Sequence, residues 1–590
     1  MGKKLLLGNE AIARGAYEAG ITVATAYPGT PSTEITEFLG LYQEIYTEWS
    51  VNEKVALEIA IGASIAGARS MATMKHVGLN VAADPLMSVS YPGVNGGLVI
   101  VVADDPGQHS SQNEQDTRYF GIFAKVPVLE PSDSQECLDF MIKAFDISET
   151  FDTPVIVRLT TRVSHSQSLV TLGTRQEIPL KKFDKNPSKY VVAPSFARKR
   201  RVIAEERLEK LKTLADTTEL NTIEYHDKNV GIITSGIAYQ YAKEVLPDAS
   251  YLKLGLSYPL PEKLIRDFAA KCSKIYIIEE LEPIFEEKIK AMGIQVTGKE
   301  IFPVIGEFNE EIIRKAVFGN AVQNQDLEFS EVLPVRPPVL CPGCHHRGPF
   351  YVLKKLKLYV SGDIGCYTLG AFAPLNAMDT CICMGASIGM AFGFEKARGK
   401  DFAKKSVAVI GDSTFWHSGL TALIDLVYNQ GFTTVIILDN STTAMTGHQE
   451  NPSTGATLGG VLVPKIDFEH LAKAIGINRV HTIDAYDLTR LEEVIKEEVK
   501  AQEPSLIITK KPCALLKTAK SNGKTYKIVA EECNGCKLCM KIGCPAISFD
   551  EQAGIVEINE DLCNGCALCA DVCKFPAIVC EETEGKTCCQ

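Results

Sequence analysis

Ser406-Val407-Ala408-Val409-Ile410-Gly411-Asp412-Ser413 reads as a buried strand that ends in a glycine and an acid. A helical stretch follows from His417 to about Asn429. A second apolar strand, Thr434–Leu438, then runs into Asp439-Asn440. This β–α–β unit predicts a parallel sheet with Asp412 and Asn440 at neighbouring strand carboxyl ends, the crevice where open α/β sheets bind ligands. An acid and an amide oxygen suit octahedral Mg²⁺, which takes few protein oxygens and fills its remaining positions with water and phosphate. The backbone carbonyl of Thr442, just beyond, completes the candidate set.

Outward from this unit, the chain repeats the same kind of pattern. Residues 1–175 alternate helical stretches with short apolar runs such as Leu98–Ala103 and Pro154–Leu159, again predicting a helix-wrapped parallel sheet. The opening residues Met1–Glu10 begin like a signal peptide, but the apolar run stops after three leucines, so a strand turning into a helix around Glu10–Ala19 is expected. Residues 176–228 are polar, and Arg198-Lys199-Arg200-Arg201 reads as the start of a solvated linker helix ending near Ala215. A further α/β unit is expected over 229–330, with strands Val230–Thr234 and Lys274–Glu279. The unit around Asp412 spans 331–518, and a joint at Lys517–Lys524 leads into a cysteine-rich segment, 523–590. The net charge of −12 over 590 residues argues against nucleic acid as a partner. No apolar run approaches a membrane span, and the expected location is the cytoplasm.

Eleven of the 19 cysteines lie between Cys533 and Cys589. Clustering of this kind in a long chain points to metal ligation rather than disulfides. Cys533-x₂-Cys536-x₂-Cys539-x₄-Cys544-Pro545 is followed by Cys563-x₂-Cys566-x₂-Cys569-x₃-Cys573. Both runs resemble the bacterial ferredoxin pattern for two [4Fe–4S] clusters, in which the fourth cysteine of each run serves the other cluster. By that pattern Cys533, Cys536, Cys539 and Cys573 hold one cluster, and Cys563, Cys566, Cys569 and Cys544 the other. Cys580, Cys588 and Cys589 are left over. The x₄ gap and the lack of a proline directly after Cys573 depart from the pattern without removing a ligand. A pair of zinc knuckles is the alternative, although a duplicated set of eight ligands is unusual for zinc.

Gly411-Asp412-Ser413 with Asp439-Asn440 resembles the thiamine-diphosphate motif, normally Gly-Asp-Gly and then Asn-Asn. Val51-Asn52-Glu53-Lys54-Val55-Ala56-Leu57-Glu58 looks like the site of the glutamate that such enzymes set against the aminopyrimidine, with Glu53 in position and Glu58 as the fallback. Together with the cysteine runs, these motifs make the whole chain similar to the large (alpha) subunits of indolepyruvate:ferredoxin oxidoreductase, within the 2-oxoacid:ferredoxin oxidoreductases. The resemblance implies two thiamine-diphosphate-binding, doubly wound α/β domains, an intervening transketolase-C-terminal-like domain and a small α+β ferredoxin domain.

It also implies residue roles. Thr30, in Tyr27-Pro28-Gly29-Thr30-Pro31-Ser32, matches the substrate loop. Arg118, in Asp116-Thr117-Arg118-Tyr119, matches the arginine whose fork pairs the substrate carboxylate. His346, with His345 as the weaker candidate, matches a diphosphate contact, and Gly385, Gly411 and Ser413 line the cofactor pocket. Cys341 and Cys344 of Cys-Pro-Gly-Cys-His-His, with Cys366 and Cys513, occupy the places of a third [4Fe–4S] cluster. Cys381 and Cys383 compete for that role, and a zinc site from Cys341, Cys344 and a histidine is the alternative. The implied reaction is oxidative decarboxylation of an arylpyruvate with coenzyme A, yielding an acyl-CoA and CO₂ and reducing ferredoxin. The implied partner is a small (beta) subunit, with two large subunits pairing in a heterotetramer. Another 2-oxoacid as substrate, or a non-catalytic electron carrier, are the rival readings.

Overall fold

Leu98–Asp104 is buried at all seven positions, as expected of a parallel strand covered on both faces. In the computed structural model it lies inside a seven-stranded sheet, and the chain divides into two compact units, Met1–Glu331 and Val332–Gln590. The structure describes residues 2–183, 185–319, 334, 336–517, 519 and 524–582; Cys588, Cys589 and most of the Lys517–Lys524 joint lie outside them.

In the first unit, the large sheet runs in the order Leu256–Tyr258, Val128–Leu129, Val155–Thr160, Leu98–Asp104, Ser70–Lys75, Val23–Ala26, Tyr46–Trp49. Every pairing is parallel except the one between the first two strands. The opening residues form strand Lys3–Leu7 and helix Gly8–Glu18, which packs with helix Ser134–Phe151 over one face of this sheet. Helix Glu53–Ile65 starts where the Asn52 side chain accepts from Val55 N–H at 2.9 Å, an N-cap that places Glu53 in the first turn.

A four-stranded sheet, Lys274–Ile278, Asp227–Thr234, Ala249–Leu254 and Asn221–Glu224, follows in the same unit. Its edge strand Asn221–Glu224 comes from the stretch read as linker. The solvated-helix reading of that stretch needs correcting too. Within helix Pro194–Ala215, Arg200 donates to the Tyr91 and Pro92 carbonyls, and Arg207, 5% exposed, donates to Ser90 O. These bonds fix the helix to the Ser90–Pro92 turn that precedes strand Leu98–Asp104, because buried guanidinium groups must spend their donors on protein acceptors.

In the second unit a five-stranded, all-parallel sheet runs Tyr359–Ser361, Ser406–Gly411, Thr434–Asp439, Ser505–Lys510, Arg479–Asp484. The helix expected from His417 begins as a π-turn, Phe415–Gly419, and becomes regular only over Leu420–Tyr428. Two antiparallel strand pairs, the distant Lys524–Ile528 with Ile578–Glu582 and the hairpin Ile547–Asp550 with Ile555–Ile558, frame the cysteine runs. No helix among the described residues is long and apolar enough to cross a membrane.

Candidate functional site

The carboxyl end of the seven-stranded sheet gathers the first group of candidates. Glu53 is 5% exposed, and a Cβ added at Gly78 would lie 2.5 Å from its Oε1, so that glycine makes room for the carboxylate. Thr30 is half-buried, and Ser110 Oγ donates to its carbonyl at 3.2 Å. Lys75, the last residue of strand Ser70–Lys75, reaches the same loop and donates from Nζ to Ser110 O at 2.6 Å.

No sequence motif marks this lysine. It is 8% exposed and, among the described residues, makes no ion pair. Burial lowers its pKa to about 8, with Asp105 pulling the other way. Asp105 is not free to offset the charge fully, since it already accepts from Ser110 N–H, Ser111 Oγ and Thr161 Oγ1. An ammonium carries three donors, so two remain for an anion. The available signal was a lysine closing an otherwise apolar strand, Met71-Ala72-Thr73-Met74-Lys75.

Arg118 is placed differently from the substrate role expected of it. It is 1% exposed, and each of its nitrogens is taken. Nε and Nη2 hold Asp116 at 2.9 and 2.6 Å, Nη1 holds Glu279 at 2.6 Å, and Nη2 also reaches the Glu280 and Glu282 carbonyls at 3.1 Å. Phe285 lies 4.8 Å from the guanidinium carbon. Such a pair is worth keeping only when its donors are satisfied, and here they are satisfied by protein. Arg118 ties the first sheet to the Glu279–Glu282 turn and offers no edge to a substrate carboxylate.

In the second unit Asp412 directly follows strand Ser406–Gly411, and Asn440 directly follows Thr434–Asp439. They are 3% and 6% exposed. Burial, reinforced by neighbouring Asp439, pushes the Asp412 carboxyl up to about 8. An acid held this unfavourably among oxygens suits a divalent cation. Asn451, which the sequence reading did not single out, donates to Asp412 Oδ2 at 3.3 Å. Asn440 Oδ1 accepts from Thr442 N–H at 3.2 Å, and Thr443 Oγ1 donates to Ser413 Oγ at 2.9 Å.

Gly385, at φ +85°, starts helix Ala386–Arg398. Its N–H and that of Ser387 donate to the fully buried Asp363 at 2.8 and 2.9 Å. Asp363 therefore orders this glycine turn, a second role that the sequence left unmarked. His345 and His346 are buried with ring centroids 3.8 Å apart. Burial drives the His345 pKa down to about 3, and among the described residues His345 Nε2 and His346 Nδ1 have no hydrogen-bond partner. Neutral imidazole nitrogens left over in a dry wall fit a polar cofactor.

The structure brings Cys341, Cys344, Cys366 and Cys513 together. Besides burial, Cys341 and Cys366 raise the Cys344 thiol, which reaches about 12, and Cys513 and Cys341 raise Cys366 to about 11. Besides burial, Asp363 and Cys383 raise Cys381, whereas neither Cys381 nor Cys383 is among the groups that shift Cys344, Cys366 or Cys513. Cys344 Sγ and ring nitrogens of His345 and His346 also lie within 4.8 Å of one another, the geometry the zinc alternative needs. Four free thiols converging on one spot fit a cubane better, since each iron takes one thiolate.

In the C-terminal segment, Cys544, Cys563, Cys566 and Cys569 line one cavity. Cys539 feels Cys573 and Cys533 besides its own burial, while Cys536 is exposed. Both foursomes are free thiols in this structure, and both suit [4Fe–4S] clusters.

Comparison with known proteins identifies the domain families of the chain. Residues 14–224 match the model described as "Pyruvate flavodoxin/ferredoxin oxidoreductase, thiamine diP-bdg". Residues 363–509 match "Thiamine pyrophosphate enzyme, C-terminal TPP binding domain", and residues 556–579 match "4Fe-4S binding domain". The chain is 43% identical to the indolepyruvate oxidoreductase subunit IorA of Archaeoglobus fulgidus, covering 98% of this chain and 97% of that one. It is 42% identical to the corresponding subunit of Pyrococcus horikoshii, over 98% and 96%. Among solved structures, a 2-oxoglutarate:ferredoxin oxidoreductase from Magnetococcus marinus aligns with a TM-score of 0.45 and 17% identity, over 53% of this chain and 64% of that one.

Proposed function

Because the chain belongs to the indolepyruvate oxidoreductase IorA family, we propose that it oxidatively decarboxylates arylpyruvates, indole-3-pyruvate foremost. In this reading one 2-oxoacid, one coenzyme A and two oxidised ferredoxins become one acyl-CoA, CO₂, a proton and two reduced ferredoxins. The chain is a thiamine-diphosphate-dependent 2-oxoacid:ferredoxin oxidoreductase subunit with a 4Fe–4S domain, and the naming of its relatives as subunits implies a partner subunit.

Thiamine diphosphate, when bound, supplies the electron sink for decarboxylation at the 2-oxo carbon. Glu53 would hold a proton at the aminopyrimidine. The Asp412 carboxylate, the Asn440 amide oxygen and the Thr442 carbonyl would hold Mg²⁺ and through it the diphosphate, with His346, His345, Gly385, Gly411 and Ser413 lining the pocket. Lys75 would hold the substrate carboxylate, and the Thr30 hydroxyl the 2-oxo oxygen. Three clusters would carry the electrons: one on Cys341, Cys344, Cys366 and Cys513, one on Cys544, Cys563, Cys566 and Cys569, and one on Cys533, Cys536, Cys539 and Cys573.

One observation supports this reading above the others. Cys513 N–H donates to the Asn440 carbonyl at 2.9 Å, so a cysteine of the first set adjoins the proposed Mg²⁺ corner. A cluster there would stand beside the cofactor, where electrons are released. The test is an anaerobic assay of the chain with its partner subunit, offering indole-3-pyruvate, phenylpyruvate and aliphatic 2-oxoacids with and without coenzyme A. Faster acceptor reduction with the aryl acids, dependent on coenzyme A, is expected; preference for an aliphatic acid would overturn the substrate assignment.

A further inference from the structure

The loop that carries Cys341 and Cys344 is clasped to the loop that carries Cys563 and Cys566. Asn564 Nδ2 donates to Pro342 O at 3.2 Å, and Tyr486 Oη donates to Gly343 O at 2.5 Å. Gly343, at φ +65°, lies so close that any Cβ there would collide with the Asn564 side chain. The cavity lined by Cys544, Cys563, Cys566 and Cys569 is walled on one side by Pro342, Gly343 and Arg347.

Arg347 sits at this junction. It is 2% exposed and, among the described residues, pairs with no carboxylate. Its donors go instead to backbone carbonyls on both sides: Leu340 and Cys341 from the loop of the first set, and Ile542 and Gly543 from the turn just before Cys544. Burial disfavours its charge, and the strongest charged neighbours favouring it are Cys544 and Cys566 from one set and Cys344 and Cys341 from the other, with His346 also beside it. No cysteine of the Cys533, Cys536, Cys539, Cys573 set is among them. A buried guanidinium without a counter-ion is costly unless negative charge arrives beside it.

We propose that Arg347 is the positioning residue of an electron relay, seated between the Cys341 set and the Cys544 set. It makes the Cys544-set cluster the first acceptor of electrons from the cluster on Cys341, Cys344, Cys366 and Cys513, and it favours the reduced state of both. This rests on the three-cluster reading above. In each step one electron leaves the reduced first cluster and enters the oxidised second one, with no proton moved. Each acceptance adds a negative charge to a cluster already carrying four thiolates, and the fixed positive charge stabilises that product. The exposed Cys536 puts the remaining cluster at the outlet side.

The test is a potentiometric titration followed by electron paramagnetic resonance, on the full chain with its partner subunit and without substrate. Cys563→Ser and Cys536→Ser variants assign the signals. Arg347→Gln is expected to disfavour reduction of the two flanking clusters by about tenfold each, about 59 mV for one electron, and to leave the third unmoved. Arg347→Lys, which keeps the charge, should recover most of that shift. Unmoved midpoints with full iron, or the largest shift in the Cys533-set cluster, would overturn the proposal while leaving the three-cluster reading intact. Iron well short of three clusters in the wild type would remove both. Asn564→Ala gives a second route that keeps the charge. It should slow electron equilibration between the two flanking clusters at least tenfold at unchanged midpoints, and wild-type rates would refute the relay.

Discussion

Replacing Lys75 by methionine should make the protein more stable and the enzyme worse. The ammonium is 8% exposed, with one hydrogen bond to Ser110 O and no ion pair among the described residues. Its pKa falls from 10.5 to about 8 because burial penalises the charge. At 1.36 kcal/mol per pH unit this corresponds to about 3 kcal/mol of strain in the folded state. The folded pKa lies below the unfolded one, so the native state binds fewer protons between them. The penalty is full below about pH 8 and fades as pH rises from there toward 10.5. Methionine removes it at pH 7 and keeps most of the stem packing, so the substrate-free variant should gain about 1–3 kcal/mol. The same change deletes a charge-assisted hydrogen bond to the substrate carboxylate, worth about 1.5–3 kcal/mol, or about 10- to 150-fold in kcat/KM. In the wild type, kcat/KM should fall as pH rises through about 8, and the variant should lack that limb. Denaturant melts and steady-state kinetics across pH 6–9.5 measure both halves. A variant that is less stable and retains KM within about twofold would refute the reasoning.

Three further substitutions probe the remaining sites. Glu53→Gln should lower kcat by about 10²–10⁴-fold while the cluster signals stay at wild-type intensity, which spectra of the as-isolated variant will check. Asp412 has its carboxyl raised to about 8, so the metal-free protein should lose stability as pH rises from about 4 to 8; Asp412→Asn should flatten that slope and weaken Mg²⁺ retention, read by melting with and without Mg²⁺. Gly343→Ala forces a Cβ into Asn564 and strains a left-handed backbone, and should lower the melting temperature of the Val332–Gln590 unit while leaving the Met1–Glu331 unit unchanged, resolved by hydrogen exchange.

The parts of this molecule that are local in sequence were legible there. Strand ends carrying Asp412 and Asn440 follow from apolar runs bounded by polar residues, and the ferredoxin-like runs follow from thiolate spacing. Glu53 is legible only through the resemblance of Val51–Glu58 to a known glutamate site, and the Asn52 cap that positions it appears in the structure. What escaped depends on partners far away in the chain. Arg118 reads as a free fork until Glu279 and the Glu280 and Glu282 carbonyls, some 160 residues on, are seen to saturate it. Lys75 looks like a routine strand terminus until its burial without an ion pair among the described residues becomes visible. Arg347 satisfies its donors on backbone carbonyls, which carry no residue signature. Arg200 belongs to a run that resembles solvated charge, yet it closes onto the Tyr91 and Pro92 carbonyls.

In the proposed function one chain both activates a 2-oxoacid and receives its electrons. The direct measurement mixes the oxidised enzyme, loaded with thiamine diphosphate and joined to its partner subunit, with indole-3-pyruvate anaerobically and without ferredoxin. Electron paramagnetic resonance then reads the chain's own clusters at successive freezing times. Reduced [4Fe–4S] signals that grow with substrate, and vanish in Glu53→Gln, are the expected result. Clusters that stay oxidised under full cofactor loading, yet reduce normally with dithionite, would contradict it.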